Sequence, residues 1–318
     1  MIESGVLMTA WMIYYREGAI YNKSYIDFYM EEGSKLGIVV KLILVENLEF
    51  GVKQNLWFLK YQGKEIPYPD FVICRAIYPL LSKQLELMGM KVFNNSAVAE
   101  ICNDKAKTYQ YLAKTGIIMV DSSFYRNEQL KDIISKVEKP TVIKAVDGHG
   151  GSQVFLLEKK IDSKYDIQDS TQDNFNPDFQ DNIQYDADNI FERMGSSDVV
   201  VQPLTGNRHQ DLRVYVIGKE ILAGVLRTAK EGFKSNYSLG GEACLYKLTG
   251  DEKRIVNKVI NQFDFGLVGI DFIIGDDGEL IFNEIEDVVG SRMLYQCSNI
   301  NIVELYLKFI IKTLQQSY

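Results

Sequence analysis

The sequence predicts a mixed α/β protein, and three observations carry that expectation. Short apolar runs alternate with helical patterns as far as about Asn95, the pattern of a layered α/β unit. Further along, apolar runs of strand type are joined in pairs by glycine-bearing turns, which read as hairpins. Amphipathic stretches with recognisable helix starts lie after them.

Taken in order, "GVLMTAWMIYY" reads as the first buried strand. It falls far short of the roughly 20 apolar residues of a membrane span. Glu3 rather than a basic residue precedes it, so it makes a poor signal peptide. A helix follows over about Ser24 to Leu36, with Ile26, Tyr29, Met30 and Gly33 on one face. "IVVKLILV" and "PDFVICR" read as strands, the second after Pro67 and Pro69. A helix over about Leu80 to Met88 leads to "KVFNN". "AVAEICNDKAKTYQYLAKTGI" is helical, with Asp104 as a cap and Gly116 as a stop.

"PTVIKAV" and "QVFLLEK" are strands flanking the glycine-rich loop "DGHGGS". From Lys160 to about Asn189 the chain is polar and acidic and reads as a surface insertion. "DVVVQPL" resumes as a strand, and "DLRVYVIGKEILAGVLRT" forms a hairpin around Gly218-Lys219. In "LTGDEKRIVNKVINQF", Val256, Val259, Ile260 and Phe263 make a helical stripe, and Thr249 and Glu252 have capping-box spacing. A final helix carries Ile302, Leu305, Tyr306 and Phe309.

At 318 residues the chain can hold two or three domains. Its formal charge of −8 argues against general nucleic-acid binding. Cys74, Cys102, Cys244 and Cys297 are scattered, with His149 and His209 the only histidines. This is no zinc set, and lone cysteines fit a reducing cytoplasm.

The chemistry centres on "GIDFIIGDDGELIFNEIEDV", where strand-type runs carry Asp271, Glu284 and Glu286. Asp277-Gly278 is a dipeptide favoured in two-residue hairpin loops. With that loop, Asp276 faces Glu279 and Asp271 faces Glu284, and Glu286 shares their side of the sheet. Carboxylates set opposite one another repel, so the arrangement suits a hard divalent cation. The alternative is a solvated face of ordinary surface acids, and a one-residue slip would undo the pairing.

Cations match these acids. Lys144 enters the loop holding Gly148, Gly150 and Gly151, and glycines let backbone N–H groups approach phosphate. The pattern is not a P-loop, and a plain hairpin turn is the alternative. Lys105 opens a helix, Arg213 lies within an apolar strand, and Arg227 and Lys230 follow on the next strand and its exit. A guanidinium in a strand needs a partner; phosphate suits it, as would an ion pair with Asp211 or Glu220. In "KEGFKSNYSLGGEA", Asn236 and Gly240-Gly241 suit a binding loop.

In this order, "NDK", "VIKAVDGHGG", "VVVQP", "DLRVYVIGKEILAGVLRTAKEGFKSN", "LGGEA", "LVGIDFI" and "FNEIE" resemble the ATP-grasp carboxylate–amine ligases of the RimK-like branch. The resemblance covers about Asn94 to Leu314. It implies an ATP-grasp fold: an N-terminal α/β domain over 1–95, a central domain over 96–203 carrying the insertion 160–189, and a C-terminal domain over 204–318, the last two enclosing ATP. It implies Lys105 and Lys144 on the α- and β-phosphates, a glycine loop that closes as a lid, and Val201, Gln202 and Leu204 along adenine. It places Arg213, Arg227 and Asn236 at phosphoryl transfer, Lys230 beside the nucleotide, and Mg²⁺, with Mn²⁺ as an alternative, on Asp271, Glu284 and Glu286. It implies a cytoplasmic enzyme, a homo-oligomer, acting on small-molecule or peptide carboxylates and amines through an acyl-phosphate.

Two departures stand out. The family usually has Asn where this chain has Glu286, and the loop after it reads "DVVGSRML" instead of small residues and Pro leading to Gly. Arg75 and Arg292 are candidates to hold a substrate carboxylate. The competing functions are a phosphotransferase on the same scaffold and a non-catalytic nucleotide-binding protein.

Overall fold

The computed structural model describes residues 7–151, 153–159, 165–168, 187–206, 209–228 and 242–316. The N-terminal layer contains β1 (Met8–Tyr14), α1 (Arg16–Tyr21), α2 (Lys23–Lys35), β2 (Ile38–Leu44), β3 (Leu48–Lys53), β4 (Leu56–Tyr61), β5 (Phe71–Cys74), α3 (Pro79–Leu87) and β6 (Lys91–Phe93). Its sheet is parallel, in the order β2-β1-β5-β6. β1 is buried without a break from Ala10 to Tyr14, and a strand covered on both faces reads as continuously apolar. Strands β3 and β4 form a separate hairpin that the sequence reading did not anticipate. Gln54 and Asn55 turn it with φ of 51° and 62°, the mirror-image turn usually signalled by glycine.

The central segment runs through α4 (Ser96–Cys102), α5 (Lys105–Leu112), β7 (Ser123–Tyr125), α6 (Leu130–Ser135), β8 (Thr141–Ala145), β9 (Val154–Lys159), β10 (Tyr165–Gln168), α7 (Ala187–Met194) and β11 (Val199–Pro203). The stretch expected as one helix is broken before Asp104, whose side chain accepts from the Lys107 N–H and starts α5 afresh. The sheet is antiparallel, in the order β10-β9-β8-β11-β7. Strand β10 falls within the polar insertion, so that stretch is not simply an unstructured excursion: Tyr165–Gln168 extend the sheet against β9.

The C-terminal segment has β12 (Gln210–Ile217), β13 (Glu220–Thr228), β14 (Glu242–Tyr246), α8 (Gly250–Ile260), β15 (Leu267–Ile274), β16 (Leu280–Glu286), α9 (Arg292–Cys297) and α10 (Ile302–Gln315). Its antiparallel sheet is ordered β14-β13-β12-β15-β16. The Thr249–Glu252 capping box opens α8 with both reciprocal bonds present. Helix α10 buries Ile302, Val303, Tyr306, Leu307 and Ile310, while Leu305 is exposed, so its buried stripe is rotated slightly from the expected one.

Alternation decides what each face of this last sheet does. Leu212, Val214 and Val216 pack with α8 and with Val98, Cys102, Tyr109 and Leu112 of α4 and α5. Tyr215 and Ile217 face the other way, into a core shared with α10 and the N-terminal layer. The Asp211–Arg213 end of that second face lies open as the floor of a cleft. We propose chain divisions near 95 and 203 because the sheets separate there; the packing of α4 and α5 crosses the first of them.

Candidate active site

The floor is built from opposite charges paired across strands. Arg213 on β12 faces Asp271 on β15, and Asp211 faces Arg227 on β13. Such cross-strand pairs stabilise a sheet. Arg213 grips Asp271 through Nε to Oδ1 at 2.8 Å and Nη2 to Oδ2 at 2.6 Å, and it also reaches Glu286 Oε1 at 2.7 Å. Arg227 holds both oxygens of Asp211 and donates to Asp271 Oδ2 at 2.7 Å. Burial works against charge on Asp271, yet Arg213 and Arg227 hold its carboxyl down to about 2. Burial instead raises Glu286, against the pull of Arg213.

Asp271 and Glu284 do face each other, but not by way of a two-residue loop. Gly275 N–H donates to Glu279 O at 2.9 Å, so three residues, Asp276 to Gly278, make the turn. Gly278 has φ of 85°, the left-handed position that such loops give to glycine. That shifts the register by one, pairing Phe272 with Phe282. A bulge then restores the count: Asn283 is the extra residue, and Glu284 returns opposite Asp271. The ligand oxygens of Asp271, Glu284 and Glu286 come within 4.8 Å of one another. Three hard oxygen donors at this spacing fit Mg²⁺ or Mn²⁺.

The opposite wall belongs to the central sheet. Ile143 and Ala145 of β8 enter the central core, which turns Val142 and Lys144 toward the cleft. Lys144 Nζ donates to Asn283 Oδ1 across the cleft at 2.8 Å. Burial, together with nearby Lys105, pulls its ammonium down to about 8, although Glu284 opposes the shift. Lys105 begins α5, with Nζ 2.5 Å from Gly148 O and 3.4 Å from Glu284 Oε2. Gly150 and Gly151 have φ of 65° and 79°, so the loop uses backbone that bulkier residues rarely adopt.

These walls enclose a cavity of ≈ 280 Å³ that includes Lys105, Lys144, Gly148, Gly150, Gly151, Gln202, Leu204, Arg213, Arg227, Glu284 and Glu286. Asp271 is buried beneath it. Val201 packs beside the central core instead. Gln202 donates to Ser122 Oγ, and Leu204 N–H to Pro140 O at 3.0 Å. Lys230, Asn236 and Gly240-Gly241 lie outside the described residues. The sequence reading missed Asn283, which only the bulge brings into the site. It considered Asp211 only as an alternative partner, although Asp211 shares the strand face of Arg213.

Residues 102–310 match the RimK-like ATP-grasp domain. The chain belongs to that family. A probable alpha-L-glutamate ligase of Legionella pneumophila is 28% identical over 259 residues, 79% of this chain and 78% of that protein. An uncharacterized protein of Mycoplasma genitalium is 27% identical over 233 residues, 72% of this chain and 69% of its own. The VanG D-Ala:D-Ser ligase from Enterococcus faecalis has a TM-score of 0.67 at 16% identity, covering 96% of this chain and 99% of its own. The ATP-grasp ligase PsnB complexed with minimal precursor has a TM-score of 0.62 at 17% identity, covering 96% and 99%. These structures establish the ATP-grasp fold. This ATP-grasp protein is by family an enzyme, an ATP-dependent carboxylate–amine ligase. Among its described residues no helix is long and apolar enough to cross a membrane.

Proposed function

We propose that this ligase binds ATP with Mg²⁺ in the cleft and joins a substrate carboxylate to an amine there. One observation carries the reading: Lys105, Lys144 and a glycine loop face Arg213, Arg227 and a three-carboxylate cluster across one cavity. Four cations meet four acids there, counting Asp211. A triphosphate adds negative charge, so it must bring cations with it, and Asp271, Glu284 and Glu286 would hold them. When bound, Mg²⁺ supplies neutralisation of the phosphate oxygens; Mn²⁺ is the alternative ion.

Lys105 and Lys144 hold the α- and β-phosphates, and the backbone from Val201 to Leu204 runs beside adenine. Lys230 and Asn236 complete the nucleotide and transfer sites. Arg213 and Arg227 hold the transferred phosphoryl group, where fixed charge lowers the barrier most. A carboxylate oxygen bonds to the γ-phosphorus as the bridging P–O bond breaks and ADP departs. The amine nitrogen then bonds to the acyl carbon, the C–O bond to phosphate breaks, and phosphate leaves with that electron pair. The amine proton passes to phosphate or water.

The substrate class follows the relatives: an amino acid such as glutamate, joined to a small-molecule or peptide carboxylate. Four free cysteines fit work in a reducing cytoplasm. The test is ADP and phosphate release with Mg²⁺-ATP and pools of amino acids and short peptides. Release should need both a carboxylate and an amine, and Glu284→Gln should cut it by about 100-fold or more. A single co-substrate and a stable phosphorylated product would identify a phosphotransferase instead.

A further inference from the structure

The charged floor continues past Arg213 toward the N-terminal layer, and this inference rests on the ligase reading of that floor. Tyr215, two residues along β12 on the same face, donates its hydroxyl to Gly290 O at 3.0 Å. The neighbouring carbonyl, Val289 O, accepts from Arg75 Nη2 at 3.1 Å. Val289 and Gly290 therefore stand between the transfer site and Arg75. Arg75 directly follows β5, and its parallel pairing with β1 ends at Ile13 and Cys74. Tyr14 and Arg75 thus emerge together at the carboxyl ends of a parallel sheet, the edge where such sheets bind ligands.

Arg75 is half-buried and lacks the acidic partner that a partly desolvated guanidinium usually has. Its Nε donates to Tyr14 Oη at 3.2 Å, and its Cζ lies 5.4 Å from the centroid of the Tyr25 ring. Among the described residues no carboxylate forms an ion pair with it. Asp287, the acid that shares its field, is taken by Asn94 at 2.6 Å and Asn103 at 2.9 Å. Three buried oxygens, Tyr25 Oη, Tyr29 Oη and Ser291 Oγ, make no hydrogen bond of normal geometry among the described residues, although the Tyr25 and Tyr29 hydroxyls lie close enough to interact with each other. Tyr29 packs edge-on against Tyr25, with centroids 5.1 Å apart. A buried polar atom without a partner is costly and needs a reason. Burial holds the Tyr29 hydroxyl protonated, so it is a donor. Hydroxyl donors beside an unpaired guanidinium suit a group that only accepts, which is an ionised carboxylate. Arg292, the other candidate, is exposed and committed to Tyr21, stacked at 4.7 Å and bonded at 3.0 Å.

We infer that Arg75, with the hydroxyls of Tyr25, Tyr29 and Ser291, receives the non-reacting carboxylate of an α-amino acid substrate. The carboxylate is a handle: it anchors the molecule on the N-terminal layer while the far end of its side chain extends past Val289 and Gly290 toward Arg213.

The experiment is calorimetric titration of the full-length chain, saturated with Mg²⁺-ADP, using the common amino acids with L-glutamate first. At least one should bind, and its α-carboxamide should not. Tyr29→Phe and Ser291→Ala, which keep ring and backbone, should each weaken amino-acid binding by about tenfold and leave ADP affinity unchanged. The inference is overturned if no amino acid binds, if the carboxamide binds as well, if both variants bind like wild type, or if both weaken ADP equally, the mark of a structural strut. ADP titration of wild type isolates the underlying reading: failure to bind ADP sinks the ATP-binding reading, whereas ADP binding without amino-acid binding sinks only the carboxylate site.

Discussion

The two walls of the cleft solve the problem of holding charge in opposite ways. On the floor, Arg213, Arg227, Asp211, Asp271 and Glu286 satisfy one another through short, mostly buried bonds. On the facing wall, Lys144 reaches across to the neutral Asn283, and the glycine loop relies on backbone. The floor is therefore pre-set before any nucleotide arrives, while the wall presents its cations with fewer acidic partners. Fixed dipoles and charges need no reorganisation at the moment of transfer; a lid must be able to adjust.

Breaking the floor should have the largest effect. Asp271→Ala leaves two buried guanidiniums facing each other and should cost about 3–5 kcal/mol of stability. Lys144→Met on the wall removes a cation that burial already disfavours, so it should abolish turnover without lowering stability. Urea denaturation of both variants measures the contrast, and equal losses would remove the distinction between the walls.

A pH experiment sharpens it. Lys144 titrates near 8 in the folded chain against an ordinary 10.5. Between those values the unfolded chain keeps a proton that the folded chain has lost, so this group makes stability rise with pH across that window. The slope should vanish in Lys144→Met. Phosphate beside Lys144 favours the charged form, so ADP binding above pH 8 should take up protons. Calorimetry in two buffers of different ionisation enthalpy reads that uptake, and its absence would place phosphate elsewhere.

Much of this was legible in the sequence, for reasons that differ by element. The Thr249–Glu252 cap and the β12–β13 hairpin are local signals, and local signals survive folding. The facing of Asp271 and Glu284 was also legible, but the expected loop was one residue short and the bulge at Asn283 supplied the compensation. The hydrophobic pattern could not show this, because a bulge adds a residue without changing composition. The β3–β4 hairpin went unseen because its turn is Gln54-Asn55 rather than a glycine pair, and its faces are too exposed to alternate cleanly. The carboxylate-poor surroundings of Arg75 are a tertiary fact, assembled from α2, β1 and the loop after β16.

The smallest expected effect lies at the side-chain hydrogen bond from Lys144 to Asn283 across the cleft. Asn283→Ala removes that bond without removing the bulge, since Phe282 N–H still donates to Ile118 O at 2.8 Å. Glu284 stays near enough to favour the ammonium, so ADP affinity should fall only about three- to tenfold. Asn283→Asp separates position from charge. A carboxylate there keeps an acceptor for Lys144 and lifts its pKa, so proton uptake on ADP binding should disappear. It also sets a further acid beside the triphosphate, so affinity should fall further than in the alanine variant. If the aspartate variant instead bound ADP more tightly, Asn283 would be limiting the charge of Lys144, and the wall would be tuned by its neighbours as closely as the floor.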